Sequence, residues 1–516
     1  MRRRLRLQRR PCTPGTTQGR QTPDNRALLA RENSVAGDHS GGSAAFYIFF
    51  PVLNFQMPVE SHALLEAACG KTMYTVSHDC RLTGVSFVVV HTLTIVLAFL
   101  LCPSRTLADT RIWQPLILEA KQLRVLVGRP QRQLEVLAEH DRKLEPIPFQ
   151  IDERTADGLF SFSSVHQASS STKGLSPNDQ IVMMVSDLGH VCNVPCNLPP
   201  STLEISVFTP SDRTTRYAYI ATVEKPTLSP KSYVDYDATT DRIETNGYRL
   251  TFVNGFPADF ALQATQWSHR PNMITAFQIL GKTKLFGLVL LRLTNIDIQS
   301  RVVGFRAGPV RLIRQVLYWV KLPFGIGSPK VTSDELFYRN FGVMPLAVKL
   351  PWVPHLLFNK TSFRLAVELN NANRYSLLWP GANNGRSRIS ELAASGGDST
   401  IPADWIAIEA EDGLLVQTFA PTPDLALIER QLYYQADDSL SSSLGADQHA
   451  IVGLQIDKLE KLSKGGHGFD PLFIAVSGGH NVSAMFRELS EKPVVTVQPA
   501  TMPAEPRQSV RGYFHK

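Results

Sequence analysis

The sequence predicts an all-β protein in which a small N-terminal β-sandwich precedes a large antiparallel β-sandwich or supersandwich. Short runs rich in Val, Ile, Leu, Tyr and Phe are separated by Gly, Pro, Asn and Asp, as in RYAYIATV, GYRLTFVNG and LFGLVLLRLTNID, a composition typical of strands. In residues 311–321, apolar and polar residues alternate at about every second position, which is the period of a strand. Helix signals are few.

Three dipeptides between these runs predict hairpin turns. An Asp-Gly pair at 412–413 separates DWIAIEA from LLVQTFA, and Asp-Gly tolerates the positive φ angles of a type I′ turn. Asn254-Gly255 and Thr294-Asn295 predict turns of the same kind.

The domain boundary is predicted near residues 225–232, where two prolines occur without an apolar period. Residues 109–224 then form the small sandwich and residues 233–493 the large one. The segment 494–516 contains three prolines and is predicted to be an extended tail. The sequence contains no G-x-G-x-x-G pattern, no phosphate loop and no internal repeat.

An uncharged apolar run, Gly84 to Cys102, precedes the small residues Thr106 and Ala108. This pattern indicates that residues 73–108 are a signal peptide cut before Asp109, or a retained signal anchor. Residues 1–72 are then a disordered leader, or a consequence of a start codon called upstream of Met73. Either interpretation predicts a periplasmic or extracellular protein that meets the membrane only through residues 84–102, if these are retained.

The distribution of charge excludes one class of partner. Residues 1–108 hold 12 Lys and Arg against 6 Asp and Glu, whereas residues 109–516 hold 41 against 40. The formal net charge of +7 therefore comes mostly from the leader, and nucleic acid is not a predicted partner.

Cys192 and Cys196 are the cysteines that follow the apolar run, in the proline-containing stretch HVCNVPCNLPP. An oxidising compartment favours a disulfide between them. A metal site is the alternative, but it needs two further ligands and His190 supplies one at most.

Carboxylates between residues 150 and 190 form a candidate cation site. Asp152, Asp157 and Asp179 are the candidate ligands, because Ca²⁺ takes oxygen ligands from carboxylates, amides and carbonyls. Ordinary turn chemistry at Asp157-Gly158 and at 177–179 is the alternative interpretation, and it requires no cofactor.

The stretch IPFQIDE, followed by the turn at Asp157-Gly158 and a further strand, resembles the N-terminal region of exported bacterial β-sandwich proteins, some encoded near carbohydrate-processing enzymes. The resemblance covers about forty residues and implies a sandwich fold in a sugar-related context. It transfers no active residue to a numbered position in this chain.

A set of aromatic, basic and amide residues suits carbohydrate, because aromatic rings cover the apolar faces of sugars while Arg and Asn bind hydroxyls and carboxylates. The candidate ligand-binding residues are Trp267, His269, Arg270, Tyr338, Arg339, Tyr375, Trp379, Asn384 and Arg386. On one concave sheet face they would resemble the galactose-mutarotase-like supersandwich.

The function predicted from the sequence is binding of a carbohydrate or cell-envelope polymer by an exported β protein. A carbohydrate-active enzyme, such as a polysaccharide lyase, sugar isomerase or glycosidase, is one alternative, although no catalytic residue is assigned. A membrane-anchored structural protein of the envelope is the other.

Overall fold

A computed structural model describes residues 114–162, 173–192, 196, 198–262, 273–320, 330–350, 353–356, 358–380, 385–389, 391, 399–411, 413–421, 428–437, 449–477 and 482–500. All of them belong to one compact unit, Phe46–Lys516. The predicted leader, signal peptide or anchor lies outside the described residues. Within the described ranges, no helix combines the length and apolar character needed to cross a membrane.

The described chain is nearly all β, as the sequence predicts. Its first strands are β1 (Pro115–Glu119), β2 (Leu134–His140), β3 (Lys143–Pro146), β4 (Phe149–Asp152), β5 (Gln180–Met184), β6 (Leu203–Thr209), β7 (Thr214–Thr222), β8 (Val234–Asp237), β9 (Arg242–Thr245), β10 (Tyr248–Val253), β11 (Phe256–Leu262), β12 (Ile274–Leu285), β13 (Val289–Thr294) and β14 (Ile298–Ala307).

The later strands are β15 (Arg311–Val320), β16 (Val331–Tyr338), β17 (Phe341–Val343), β18 (Leu346–Leu350), β19 (Phe358–Leu369), β20 (Ser376–Trp379), β21 (Gly385–Arg388), β22 (Ser399–Pro402), β23 (Trp405–Ala410), β24 (Gly413–Pro421), β25 (Arg430–Asp437), β26 (His449–Asp457), β27 (Gly465–Ser477) and β28 (Val494–Pro499). One α-helix, α1 (Val482–Ser490), joins β27 to β28, and short 3-10 turns connect several strands.

These strands form four antiparallel sheets. Two sheets have ten strands each: the first has the order β22-β25-β26-β19-β12-β11-β10-β9-β8 with β13 paired to β12, and the second has the order β14-β15-β16-β17-β27-β24-β23-β20-β21 with β18 paired to β27. The other two are a three-stranded sheet, β1-β5-β4, and a five-stranded sheet, β28-β6-β7-β2-β3.

The largest core lies where inward side chains of the two ten-stranded sheets meet. Tyr248 and Phe260 of the first sheet pack edge to face on Phe473 of the second, with ring centroids 5.0 and 5.5 Å away. Aromatic pairs favour this geometry and bury a large apolar area. Alternation along each strand therefore directs its apolar residues into one sandwich interior.

A second core lies within the N-terminal part of the chain. Leu116 and Ile181 of the three-stranded sheet share it with Ile205 and Ile220 of the five-stranded sheet. Strand β28 pairs with β6 in the five-stranded sheet, with Val494 opposite Phe208. The segment predicted as an extended tail thus begins as a sheet strand; the domain limits proposed from sequence remain predictions.

Two predicted turns have different outcomes. Asn254 and Gly255 have φ angles of 51° and 76° between the paired strands β10 and β11, which confirms the turn there. Thr294-Asn295 is not a hairpin turn, and that prediction is wrong. A short 3-10 turn, Asn295–Asp297, instead carries the chain from β13 in the first large sheet to β14 in the second.

Candidate ligand-binding cavity

An apolar cavity of about 230 Å³, partly open to solvent, lies between the two ten-stranded sheets. The first sheet contributes side chains from β11, β12 and β19, and the second contributes side chains from β14, β15, β16, β18 and β27. The lining residues are Phe256, Pro257, Phe277, Ile279, Asn295, Ile298, Tyr318, Val331, Met344, Leu346, Phe363, Leu365 and Pro471.

The cavity lies where β12 changes its neighbour. Ile274, at one end of β12, pairs with β11, whereas Leu280 to Leu285 pair with β13. Asn295 fills the gap between these two partners, because its Oδ1 accepts a hydrogen bond from Ile279 N and its Nδ2 donates to Phe277 O, both at 2.5 Å. The side-chain amide thereby takes the place of a strand at this point of the ladder.

The other polar lining residue, Tyr318, also directs its polar atom toward the protein and not into the cavity. Its hydroxyl donates to Glu335 Oε1 at 2.5 Å. Burial raises the pKa of both Tyr318 and Glu335, so the phenol remains a protonated donor. Since the polar atoms of Asn295 and Tyr318 are occupied, the wall presents hydrocarbon to a ligand.

The apolar face of the cavity continues along the β12–β13 hairpin. Alternate residues of a strand share one face, so Leu285 lies on the same face as the cavity residues Phe277 and Ile279. Val289, opposite Leu285 in the register, extends this face and is 54% exposed. The hairpin therefore carries the cavity's apolar face out into solvent.

The carbohydrate candidates do not form one exposed platform among the described residues. Trp267, His269, Arg270 and Asn384 lie outside the described residues. Tyr338 is fully buried, and its hydroxyl accepts a hydrogen bond from Arg311 Nη1 at 2.6 Å. A buried phenol of this kind has no face free for a sugar.

The other members of that set lie in different environments. Arg339 places its guanidinium 5.1 Å from the ring centroid of Tyr233, whereas Tyr375 and Trp379 pack against the main core. Arg386 pairs with Leu378 across the hairpin and therefore lies on the sheet face opposite Trp379. Its side chain is 62% exposed and forms an ion pair with Glu409 at 2.6 Å.

The acidic candidates bind protein groups rather than surrounding a common point. Asp152 pairs with Arg311 at 2.7 Å. Asp179 accepts from Arg154 N and Ser176 N at 3.0 and 2.8 Å, and Asp157 is an exposed turn residue. Within the described residues, no three His, Cys, Asp or Glu side chains are arranged to hold a metal ion. Asp157 lies in the turn expected at Asp157-Gly158, and calcium binding by these carboxylates stays a prediction.

The cysteine pair lies beside strand β7. The structure joins Cys192 and Cys196 in a disulfide with 6.4 Å between their Cα atoms. Cys192 N donates to the hydroxyl of Tyr219 at 2.9 Å, which ties the bridge to β7. Burial raises the pKa of Tyr219 to about 12.

Sequence comparison assigns no class to this chain, since no family model matches it and no curated protein matches its sequence. Among solved structures, an alpha-mannosidase from Enterococcus faecalis has a TM-score of 0.42 at 8% identity, covering 75% of this chain and 44% of that chain. A protein of glycosyl hydrolase family 38 from the same organism has a TM-score of 0.39 at 8% identity, covering 75% and 45%.

A third structure, assigned as an aldose 1-epimerase from Escherichia coli K12, has a TM-score of 0.28 at 8% identity and covers 47% of this chain and 97% of that one. The chain spans less than half the length of the two Enterococcus proteins. Similarity at this level identifies no family and transfers no site. The strands themselves define the class, which is an antiparallel β-sandwich protein with an apolar cavity between its sheets.

Proposed function

We propose that this protein binds a compact apolar molecule in the cavity between its two large sheets. The observation that carries the proposal is the hydrocarbon wall, in which the polar atoms of Asn295 and Tyr318 are already hydrogen-bonded to the protein. Ligand sites are typically concave and mostly apolar. An apolar cavity of about 150 Å³ holds benzene, so about 230 Å³ accepts a somewhat larger aromatic or aliphatic group.

Export to the periplasm or extracellular space, predicted from residues 84–102, is part of this proposal. The disulfide between Cys192 and Cys196 supports it, because disulfides form and persist in oxidising compartments. An apolar ligand in such a compartment needs a carrier, since water dissolves it poorly.

The test is binding of 1-aminonaphthalene, whose fluorescence rises and shifts to the blue in apolar surroundings. The parent protein is expected to bind it, while Ile279→Trp and Leu346→Trp, which fill the cavity from opposite sheets, bind roughly tenfold more weakly or worse. Tenfold corresponds to about 1.4 kcal/mol of lost apolar contact.

The matched control is Leu356→Trp, which adds the same side chain at a position that is 66% exposed. It is expected to bind like the parent. Thermal unfolding of all variants establishes that the cavity variants are folded. Equal affinity in all four proteins would place the dye elsewhere and contradict the proposal.

Carbohydrate binding, predicted from the sequence, is a second proposal. The ion pair between the exposed Arg386 and the half-buried Glu409 supports it, because guanidinium and carboxylate groups bind sugar hydroxyls. On a glycan array, Arg386→Ala is expected to lose a signal that Lys458→Ala keeps, since Lys458 forms a comparable exposed pair with Glu429. No signal with the parent protein would remove this candidate.

A further inference from the structure

The end of the β12–β13 hairpin presents a run of apolar side chains to solvent. Phe286 is 64% exposed, Leu288 87% and Leu290 63%. Scattered apolar residues are normal on a surface, but a contiguous patch marks an interaction site. The patch is separate from the packed interior, because none of these three residues belongs to either hydrophobic core.

The turn at the tip has an unusual residue for its backbone. Phe286 and Gly287 have φ angles of 50° and 72°, and Leu288 N donates to Leu285 O at 3.0 Å, as in a type I′ turn. The first central position of this turn favours Asn, Asp or Gly. An aromatic side chain held there in the left-handed region is a local conformational cost, and such costs concentrate at functional sites.

Positive charges flank the tip. Lys282 and Arg292 face each other across the hairpin, Lys284 lies two residues further along the same face, and none of the three forms an ion pair within the part of the chain that is described. Like charges directly opposite each other destabilise a sheet. The nearest acid that follows, Asp297, already accepts hydrogen bonds from the backbone and hydroxyl of Thr294.

We propose that this hairpin docks the protein on an anionic lipid surface, with Phe286 and Leu288 inserted and the cations at the headgroups. Strands rise about 3.4 Å per residue, so Phe286 lies roughly 7 Å beyond Lys284. Interfacial elements bury their apolar face about 5–10 Å into the headgroup and acyl boundary. Charge and depth thus both match a bilayer with acidic lipids. This docking goes beyond ligand binding and does not depend on it.

The experiment is co-sedimentation of the full chain with vesicles of phosphatidylcholine alone, or with one third phosphatidylglycerol. The parent is expected to bind the anionic vesicles, and to bind them less as salt increases. Lys282→Gln with Lys284→Gln is expected to weaken binding roughly 30-fold, the effect of removing two charges worth about 1 kcal/mol each near an anionic surface. The control exchange is Lys225→Gln with Lys464→Gln, at two exposed lysines elsewhere.

A second variant separates docking from folding. Phe286→Asn is expected to weaken vesicle binding roughly tenfold or more while its thermal midpoint is equal to or above that of the parent, because Asn suits the left-handed turn position. Leu228→Asn, at a position with 63% exposure, is the apolar control and is expected to bind like the parent.

Two outcomes overturn the docking: anionic vesicles that do not bind the parent, or hairpin variants that bind as the parent does. Such variants would place membrane attachment in another segment. Dye binding measured without vesicles reports on the cavity separately, because Phe286→Asn leaves the cavity wall unchanged. Loss of one activity with retention of the other shows which of the two proposals has failed.

Discussion

Replacing Arg311 by methionine is expected to lower the free energy of unfolding by about 3–5 kcal/mol, the usual cost of removing one partner from a buried ion pair. The Arg311 side chain is 1% exposed and pairs with the fully buried Asp152 at 2.7 Å. Its guanidinium also donates to Tyr338 and Gln180, at 2.6 and 3.1 Å. Burial lowers the pKa of Arg311, and Tyr338 and Asp152 raise it further than burial lowers it, so the charge persists.

Equilibrium unfolding in denaturant measures this effect. The double variant Arg311→Met with Asp152→Asn removes both charges and is expected to recover a large part of the lost free energy of unfolding. The single variant, in contrast, leaves the buried Asp152 carboxylate without its cation. Lys458→Met breaks the exposed pair with Glu429 and is expected to change stability by less than about 1 kcal/mol. A loss below about 1 kcal/mol for Arg311→Met would mean that Asp152 does not need its partner.

The same strand shows how far local pattern predicts structure. Alternation in 311–321 correctly predicts strand β15, and it also implies that the polar residues face solvent. Instead Arg311 and Arg314 are as buried as Leu312 and Ile313. The acids that neutralise the two arginines are 21 to 159 residues away in the sequence. Asp152 and Glu335 lie on other strands, and Asp241 lies in the turn between β8 and β9. Spacing along one strand carries no information about partners at that separation, so the sequence does not predict the ion pair between Arg311 and Asp152.

The cavity could not be predicted from the sequence either. Its wall takes one or two residues from each of many strands, and each residue has the composition of ordinary core. The run LFGLVLLRLTNID is predicted as a strand that reaches a hairpin turn at Thr294-Asn295, whereas the structure already turns the chain at Phe286-Gly287 and crosses between sheets at Asn295. The glycine within an apolar run was the available signal, because a glycine inside a strand pattern indicates a turn, bulge or close approach.

Replacing Asp470 by asparagine is expected to stabilise the protein at pH 8 by on the order of 2–3 kcal/mol. Asp470 lies on β27 opposite Ala420, on the same face as Leu472 and Ile474, which are buried. Burial raises the pKa of its carboxyl from 3.8 to about 6. At pH 8 the parent therefore keeps a poorly hydrated carboxylate in the fold, whereas asparagine is neutral.

The sign of the pH dependence follows from that shift. The folded state holds the proton more tightly than the unfolded state, so the stability contributed by Asp470 is fully present below about pH 3.8 and is lost as the pH rises through about 6. The advantage of Asp470→Asn is therefore expected to fall below about 1 kcal/mol at pH 4. Thermal unfolding of parent and variant at pH 4 and pH 8 measures the difference.

Asp237→Asn is the matched control, because the pKa of that exposed carboxyl is lowered by hydrogen bonds from Thr240 and Thr239. Its substitution is expected to destabilise the protein near neutral pH, which is the opposite sign. If Asp470→Asn gave the same stabilisation at both pH values, the gain would come from packing of the amide and not from removing a buried charge. A gain confined to high pH, with a loss for Asp237→Asn, identifies desolvation of the Asp470 carboxylate as the cause.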